Sequence, residues 1–227
     1  MSMAHDPRQV LQAGAQTLGL ALSDAQLDLL LAYMGWLHKW NKVYNLTALR
    51  HPDEMLSHHL MDSLTAVGPL LRHLQVVHGP SGAPASGEPV PVLDVGSGGG
   101  LPGVVLAICV PQVHVTCVDA VNKKAAFIQQ VAASLRLPNL KGLHARVETV
   151  QGGFAVVTSR AFASLLDFTT WSRPALAAGG VWMAMKGKHP VEELQALGSD
   201  VEVVHVEPLA VPGVDAERCL VWMRVAG

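Results

Sequence analysis

The chain has 227 residues, of which 50% are hydrophobic and 15% are charged, and its formal net charge at pH 7 is -2. This length and apolar content can bury a sizeable core, which excludes a globally disordered protein. The slight acidic balance argues against a general nucleic-acid binder, because phosphate binding favours a basic surplus, so any RNA contact must come from a local basic patch.

The first third of the chain is predicted to be helical, over about residues 7–78. Ser23 followed by Gln26 is a capping-box signature, and apolar residues recur at helical spacing directly after it. Pro52 can occupy the first turn of a further helix, because proline is tolerated where the backbone N–H has no helical partner. We therefore expect an N-terminal cap made of helices.

Residues 79–91 differ in composition from the rest of the chain. They are rich in Gly, Pro, Ser and Ala and offer little to a core, which is typical of a flexible linker. The expected division is a helical cap over residues 1–78, this linker, and a main domain over residues 92–227.

Short apolar runs alternate with helical segments through the main domain. The predicted strands are residues 90–95, 114–119, 140–144, 155–159, 181–186, 201–206 and 219–225. The first predicted helix follows the glycine-rich turn and ends at residue 108, and the others span residues 123–137, 165–176 and 191–197. This alternation predicts an α/β fold, Rossmann-like, with a mostly parallel, doubly wound sheet covered on both faces. The two consecutive strands at the end predict a C-terminal antiparallel hairpin.

The cysteines do not suggest a metal or redox site. Cys109, Cys117 and Cys219 form neither a CxxC pair nor a zinc-like cluster, so they are interpreted as reduced, buried thiols. The scattered histidines include no HExxH pattern, and no metal is expected. Because there is neither a signal-like N-terminus nor a membrane-length apolar stretch, we expect a cytoplasmic protein without membrane contact. A monomer is expected, although no residue pattern determines the oligomeric state.

The strongest motif follows the first predicted strand and reads Asp-Val-Gly-Ser-Gly-Gly-Gly-Leu-Pro-Gly, from Asp94 to Gly103. In a doubly wound sheet this glycine loop (residues 96–103) faces the crevice where ligands bind. Gly98, Gly100 and Gly103 satisfy the dinucleotide fingerprint G-x-G-x-x-G, so NAD and S-adenosylmethionine (SAM) both compete for it. Asp119, at the end of the next strand, could hold the ribose of either cofactor.

Asp94 favours SAM over a dinucleotide. A carboxylate beside a pyrophosphate would be repelled, whereas the ammonium and sulfonium groups of SAM would be attracted to it. The competing interpretation is that Asp94 braces the loop by accepting backbone N–H bonds, and both roles are compatible. Asp119 has a similar alternative as a cap of the following helix, and Glu148 as a solvated surface residue.

With these residues in view, the chain resembles the RsmG (formerly GidB) family of 16S ribosomal RNA guanine-N7 methyltransferases. The resemblance is carried by the glycine loop and, in the same order as in the family, by residues 38–47, 55–64, 146–148, 159–164 and 185–187. It runs from about residue 10 to near the C-terminus, and Ser-Arg-Ala-Phe-Ala-Ser is much more specific than the loop. Three features depart from the family. His58 stands where an Arg is usual, Asn122-Lys123-Lys124 stands where Gly-Lys-Arg is common, and the linker is longer.

The resemblance implies a Rossmann-like methyltransferase with an N-terminal helical cap, SAM as cofactor, and 16S rRNA or the small ribosomal subunit as partner. It implies methylation of N7 of guanine 527 of that RNA. It also implies SAM contacts at Gly96, Leu101, Val147, Glu148 and Arg160. Together with the loop analysis, the predicted cofactor-binding residues are Asp94, Gly96, Gly98, Gly100, Leu101, Asp119, Val147, Glu148 and Arg160.

The chemistry of N7 needs few protein groups. Guanine N7 has a lone pair and no proton, so no general base and no catalytic side chain are predicted, and the rate should come from alignment. Arg160 is the candidate to read guanine O6 or contact SAM, its alternative being a structural salt bridge. Lys186, Lys123 and Lys124 are the candidate RNA contacts, and Phe162 stacks on a flipped base or packs in the core.

Three rival functions stay open on the residues alone. One is a SAM-dependent small-molecule methyltransferase with the helices as a lid, which the net acidity favours. Another is a non-catalytic SAM-binding or ribosome-associated module, and the last is an NAD-dependent oxidoreductase. Intact Asp94, Asp119 and Arg160 argue against a non-catalytic module.

Overall fold

The computed structural model describes residues 6–47 and 52–227. Within them the strands are β1 Val90–Val95, β2 Val113–Asp119, β3 Leu140–His144, β4 Phe154–Arg160, β5 Leu176–Lys186, β6 Val201–Leu209 and β7 Arg218–Val225. The helices are α1 Pro7–Thr17, α2 Asp24–Tyr44, α3 Pro52–Met55, α4 Asp62–Leu64, α5 Val67–His78, α6 Gly103–Cys109, α7 Asn122–Ser134, α8 Leu165–Ser172 and α9 Val191–Gln195. A π-helical turn, Leu56–Met61, joins α3 to α4, and 3-10 turns lie at Val147–Thr149 and Arg173–Ala175.

The described strands form one sheet in the order β3-β2-β1-β4-β5-β7-β6. Strands β1 to β5 are parallel, and β7 runs antiparallel between β5 and β6. The predicted α/β fold with a C-terminal antiparallel hairpin is therefore confirmed. The strand order reverses between β1 and β4, and at such a point a crevice opens at the carboxyl ends of the strands.

Strand β5 and helix α7 differ from their predicted bounds. β5 begins at Leu176 instead of 181, because Gly179 (φ 75°) continues the strand through an irregularity in its pairing with β4. α7 ends at Ser134 instead of 137, since Pro138 disfavours a helical conformation at the residue before it. Arg136 also has a left-handed backbone (φ 54°). β1 begins at Val90, so the last two residues of the predicted linker belong to a strand.

Two hydrophobic clusters cover the two faces of the sheet, because neighbouring residues of a strand point to opposite faces. Val92 belongs to the cluster that contains Leu30 and Tyr33 of α2, whereas Leu93 belongs to the cluster that contains Phe168 of α8. The N-terminal helices thus share a continuous core with the sheet. The division of the chain at residues 79–91 stays a prediction. Across the described residues, no helix is both long and apolar enough to cross a membrane.

Helix α2 begins with the predicted capping box and also fastens α6. The Ser23 backbone N–H donates to Oε1 of Gln26 (3.0 Å), and the Gln26 backbone N–H donates to Oγ of Ser23 (3.3 Å). The Gln26 amide nitrogen then donates to the carbonyl oxygens of Ile108 (3.1 Å) and Cys109 (3.3 Å), at the end of α6. One side chain therefore satisfies backbone groups at the ends of two helices.

Further along α2, Tyr33 supports the glycine loop. Its ring is fully buried, and its hydroxyl donates to the carbonyl oxygen of Gly99 at 2.6 Å. Leu37, one turn later, lies so close that a Cβ on Gly99 would be 2.7 Å from its Cδ1. The loop that follows β1 therefore rests on an N-terminal helix.

Tyr33→Phe should lower the free energy of unfolding by about 1–3 kcal/mol, because the Gly99 carbonyl would stay buried without its donor. Urea denaturation measures this change. Tyr44→Phe, at an exposed tyrosine of the same helix, is the control and should change little. Equal effects of the two substitutions would show that the Tyr33 hydroxyl does not support the loop.

Candidate functional site

The glycine loop leaves β1 in a conformation that favours glycine. Gly96 (φ 63°), Gly98 (φ 57°) and Gly100 (φ 88°) all lie in the left-handed region. At Gly96 there is also no room for a side chain, since a Cβ would stand 2.2 Å from a ring carbon of Phe162. The backbone at Gly96 and the Phe162 ring therefore approach each other directly.

Asp119, at the end of β2, ties this loop to α7. Its Oδ2 accepts the Gly98 backbone N–H at 3.0 Å, and its Oδ1 accepts the Val121 backbone N–H at 2.8 Å. The Lys124 ammonium lies 3.7 Å from Oδ2. The N-cap of α7 is Val121 and no side chain caps this helix, so the alternative interpretation of Asp119 as a helix cap is wrong. Its carboxylate lines a cavity described below.

Asp94 lies beneath the loop, with no exposed surface. Its Oδ2 accepts the Gly103 backbone N–H at 2.8 Å, which is the predicted bracing role. Its Oδ1 is buried and has no hydrogen-bond partner among the described residues. Burial raises the pKa of this carboxyl to about 7. A buried acceptor without a donor is a group that a cationic ligand would satisfy.

A first cavity of about 360 Å³ opens at the carboxyl ends of the strands. It is lined by Val95, Gly96, Val118, Asp119, Ala120, Lys124, Ala145, Arg146, Val147, Glu148, Ala161, Phe162 and Trp171. Four predicted cofactor residues therefore share one cavity, whose volume is in the range of small-molecule sites. Glu148 at its rim pairs with Arg146 (2.9 Å), and hydrogen bonds from its own backbone N–H and from Arg146 lower its pKa.

A second cavity, of about 420 Å³, adjoins the first. It is lined by His58, His59, Asp62, Arg160, Ala161, Met185, Lys186, Gly187, Leu209 and Arg218. Ala161 lines both cavities and has a left-handed backbone (φ 51°), which is strained for a residue with a Cβ. Of its two neighbours in the chain, Arg160 lines the second cavity and Phe162 lines the first.

Arg160 is held by the N-terminal helices. Its Nη1 donates to Oδ2 of Asp62 (2.8 Å) and to the carbonyl oxygen of His58 (3.1 Å), and its Nη2 lies 3.3 Å from Nδ1 of His59. The alternative interpretation, a structural salt bridge, is therefore present in the structure. Burial, and next the Arg160 charge, lower the pKa of His59 to about 4, so this imidazole is neutral at pH 7.

The predicted lysines occupy three different environments. Nζ of Lys186 donates to the Ala163 carbonyl (2.8 Å) and to Oε2 of Glu193 (2.7 Å), so this ammonium is engaged within the protein. Lys124 lines the first cavity, and Lys123 is exposed on α7 outside both cavities. Their proposed contacts with RNA stay predictions.

Three predicted cofactor residues of the loop shape the site without lining either cavity. Gly98 donates to Asp119, as described above. At Gly100 a Cβ would lie 2.5 Å from a methyl carbon of Val104, and Leu101 is buried in the core. Glycine at position 100 therefore permits close packing of the loop against α6.

Sequence reasoning missed Trp171 and Ala161 in the first cavity, and Asp62 and Arg218 in the second. Asp62 offered a usable signal, because it is an acid within an otherwise apolar helical segment, and buried acids are nearly always paired. For Trp171 the sequence offered no such signal, since the structure alone shows that this ring is exposed on α8. Among the residues that the structure describes, no group of His, Cys, Asp and Glu side chains could hold a metal ion.

Comparison with known proteins points to one family. The model of the family described as GidB, rRNA small subunit methyltransferase G, matches residues 26–221. A relative of that name from Paracidovorax citrulli is 62% identical over 214 residues, covering 94% of this chain and 88% of the relative. Another from Acidovorax ebreus is 63% identical over 214 residues, covering 94% and 93%.

Solved structures share the fold at much lower identity. TrmN from Thermus thermophilus has a TM-score of 0.50 and 17% identity, covering 75% of this chain and 53% of that chain. A ribosomal protein L11 methylase from Lactobacillus delbrueckii subsp. bulgaricus has a TM-score of 0.51 and 13% identity, covering 71% and 79%. These similarities show the fold alone.

Asp94→Asn should stabilise the protein at neutral and alkaline pH. The pKa of Asp94 is about 7 in the folded protein and 3.8 ordinarily, so the folded protein keeps this proton to a higher pH. The contribution of the protonated carboxyl to the free energy of unfolding is therefore fully present below pH 3.8 and is lost as the pH rises through 7. Relative to wild type, the variant should gain on the order of 4 kcal/mol between pH 4 and pH 8. Urea denaturation at several pH values measures the difference. A difference that stays constant with pH would contradict the raised pKa.

Proposed function

The chain belongs to the rRNA small subunit methyltransferase G family, and from that premise we propose that it methylates N7 of a guanine in small-subunit ribosomal RNA with SAM as the donor. The proposed guanine is number 527 of 16S rRNA. The proposed partner is that RNA, free or within the small ribosomal subunit. The enzyme is proposed to work in the cytoplasm as a monomer without membrane contact.

The observation that carries this proposal is the pair of adjoining cavities at the carboxyl ends of the strands. Asp119 and Glu148 place carboxylates in the first, and Arg160 and Arg218 place guanidiniums in the second. Lys124 and Arg146 also line the first cavity and pair with these carboxylates, so its acids suit the hydroxyl and amino groups of the donor more than its charge. The guanidiniums of the second cavity suit an electron-rich base edge. The shared residue Ala161 marks where the two ligands would meet.

The first cavity fits SAM on three observations. Gly96 has a backbone that only glycine readily adopts and lines the cavity without a side chain. Asp119 offers a carboxylate for ribose hydroxyl groups. The unpartnered Oδ1 of Asp94 lies beneath the loop, outside the lining of the cavity. When bound, SAM would supply a methyl group made electrophilic by a positively charged sulfur. Residues Gly96, Asp119, Val147 and Glu148 would hold it.

The buried Asp94 also argues against NAD. The Asp94 carboxylate, when ionised, would repel a pyrophosphate bound at the loop. The N-terminal helices argue against the small-molecule methyltransferase in which they act as a lid, because α2 shares its core with the sheet and Tyr33 is bonded to the loop. A helix anchored in this way does not open without unfolding part of the core.

The protein's contribution to catalysis would be positioning and charge. Guanine N7 carries no proton, so no side chain has to accept one, and alignment of the base with the methyl group supplies the rate. Arg160 and Arg218 face the second cavity with donors that can bond O6, the neighbouring acceptor on the same edge of guanine. His59, neutral at pH 7, adds no further positive charge to that cavity.

The decisive experiment uses small ribosomal subunits from cells that lack this gene. Incubation with the enzyme and SAM should make one guanine sensitive to borohydride reduction and aniline cleavage, which cut RNA at N7-methylguanosine. Subunits incubated without enzyme are the control. Methyl incorporation at another atom or nucleotide, or none, would overturn the proposed function.

SAM affinity should depend on pH through Asp94. Because a bound cation favours the ionised carboxylate, wild-type affinity should rise relative to Asp94→Asn between pH 6 and pH 8, around the pKa of about 7. The variant should bind at least about tenfold more weakly at pH 8, on the order of 1.4 kcal/mol. Isothermal titration calorimetry of both proteins measures this, and the ligand's own ionisation cancels in the comparison. Parallel pH profiles would place Asp94 outside the cofactor site.

A further inference from the structure

Asp62 joins the N-terminal helices to two strands of the sheet through a single carboxylate. It is the first residue of α4 and is 4% exposed. Its Oδ2 accepts from Nη1 of Arg160 at 2.8 Å, and its Oδ1 accepts from Nε of Arg218 at 2.9 Å. Arg160 ends β4 and Arg218 begins β7, so the carboxylate bridges two strands that are separated by β5.

Both arginines face the second cavity from this bridge. Arg160 is 17% exposed and Arg218 is 26% exposed, so neither guanidinium is free to turn away into solvent. Met185 lies between them on β5 and lines the same cavity. Of the Arg218 donors, Nε and Nη1 are engaged, whereas Nη2 has no hydrogen bond to any described residue. This nitrogen is a donor left for a ligand in the cavity.

The charges around Asp62 are unequal. Two guanidiniums share one carboxylate, and the neutral His59 adds nothing. Lys186 in the same cavity is paired with Glu193, which leaves a net charge of one positive unit. That charge suits the carbonyl oxygen of a base. Without Asp62, two partly buried cations would stand beside each other with no counterion and would repel.

Methyl transfer makes this balance matter. The lone pair of guanine N7 forms the new N–C bond, the C–S bond breaks with its electron pair passing to sulfur, and the positive charge moves onto the guanine ring. Two uncompensated guanidiniums next to that ring would oppose the developing charge, and one carboxylate between them reduces this opposition.

The geometry points to Asp62 as a positioning residue for methyl transfer: it fixes Arg160 and Arg218 toward the acceptor base in the second cavity and balances their charge. This role rests on the proposed function. Asp62 lines the second cavity, and both of its oxygens are bonded to the arginines, so its role is to act on the base through them. The role belongs to a carboxylate, because an amide nitrogen at either oxygen position would face a guanidinium donor to donor.

The test compares Asp62→Asn and Asp62→Glu with Glu202→Gln. Glu202 is the matched control, because it binds Arg224, which like Arg218 is on β7, through two bonds of 2.8 and 2.9 Å on the exposed surface. Single-turnover methyl transfer to undermethylated small subunits is measured at saturating SAM, well below the melting temperature of each variant. Asp62→Asn should be at least about tenfold slower, Asp62→Glu intermediate, and Glu202→Gln unchanged.

A second measurement does not depend on activity. Phenylglyoxal modifies accessible arginine side chains, and mass spectrometry locates each modified residue. In the protein without ligands, Asp62→Asn should raise the modification rate of Arg160 and Arg218 several-fold, whereas Glu202→Gln should raise that of Arg224 alone. This result with slowed transfer would show that Asp62 acts through the two arginines.

Several outcomes would overturn the role. Asp62→Asn transferring methyl groups within twofold of wild type would do so, as would slowed transfer with unchanged reactivity of both arginines. If Asp62→Asn does not fold, Asp62→Glu carries the test, and a folded Asp62→Glu with wild-type transfer overturns the role. Wild-type enzyme that leaves the guanine unmodified would instead refute the proposed function, and the positioning role with it.

Discussion

The site depends on three side chains that hold the glycine loop from outside it. Its left-handed glycines take the backbone out of any regular ladder, so its polar groups need other partners. Asp119 accepts from Gly98, Tyr33 donates to the carbonyl of Gly99, and Asp94 accepts the N–H of Gly103. These bonds come from β2, α2 and β1, so the loop is a junction between the sheet and the N-terminal helices.

That junction explains why the N-terminal helices belong to the site. α2 supports the loop from below, and α4 supplies the carboxylate that holds Arg160 and Arg218. The first cavity is formed mainly by strand ends, whereas the second exists only where the helices meet the sheet. Removing these helices would leave the lining residues of the first cavity on the chain but take His58, His59 and Asp62 from the second.

The site also contains groups that a structure optimised for stability would avoid. Asp94 is a fully buried carboxyl with one oxygen unpartnered, and Ala161 adopts a left-handed backbone in spite of its Cβ. Both features cost free energy in the absence of ligands. Ala161 lines both cavities, and Asp94 braces the loop that borders the first, so both features lie at the site.

The sequence alone determined the local features: the strand-loop-helix around the glycines, the capping box at Ser23 and the family, because each depends on residues close in the chain. It also predicted that Asp119 lies beside the glycine loop, since parallel strands bring their carboxyl ends together. The family resemblance implied Gly96, Val147 and Glu148, which line the same cavity. Only the tertiary structure decided that Arg160 turns to Asp62, 98 positions away, and that Arg218 meets it from 156 positions away. Such partners follow from how helices pack on the sheet, a geometry that residue spacing does not encode.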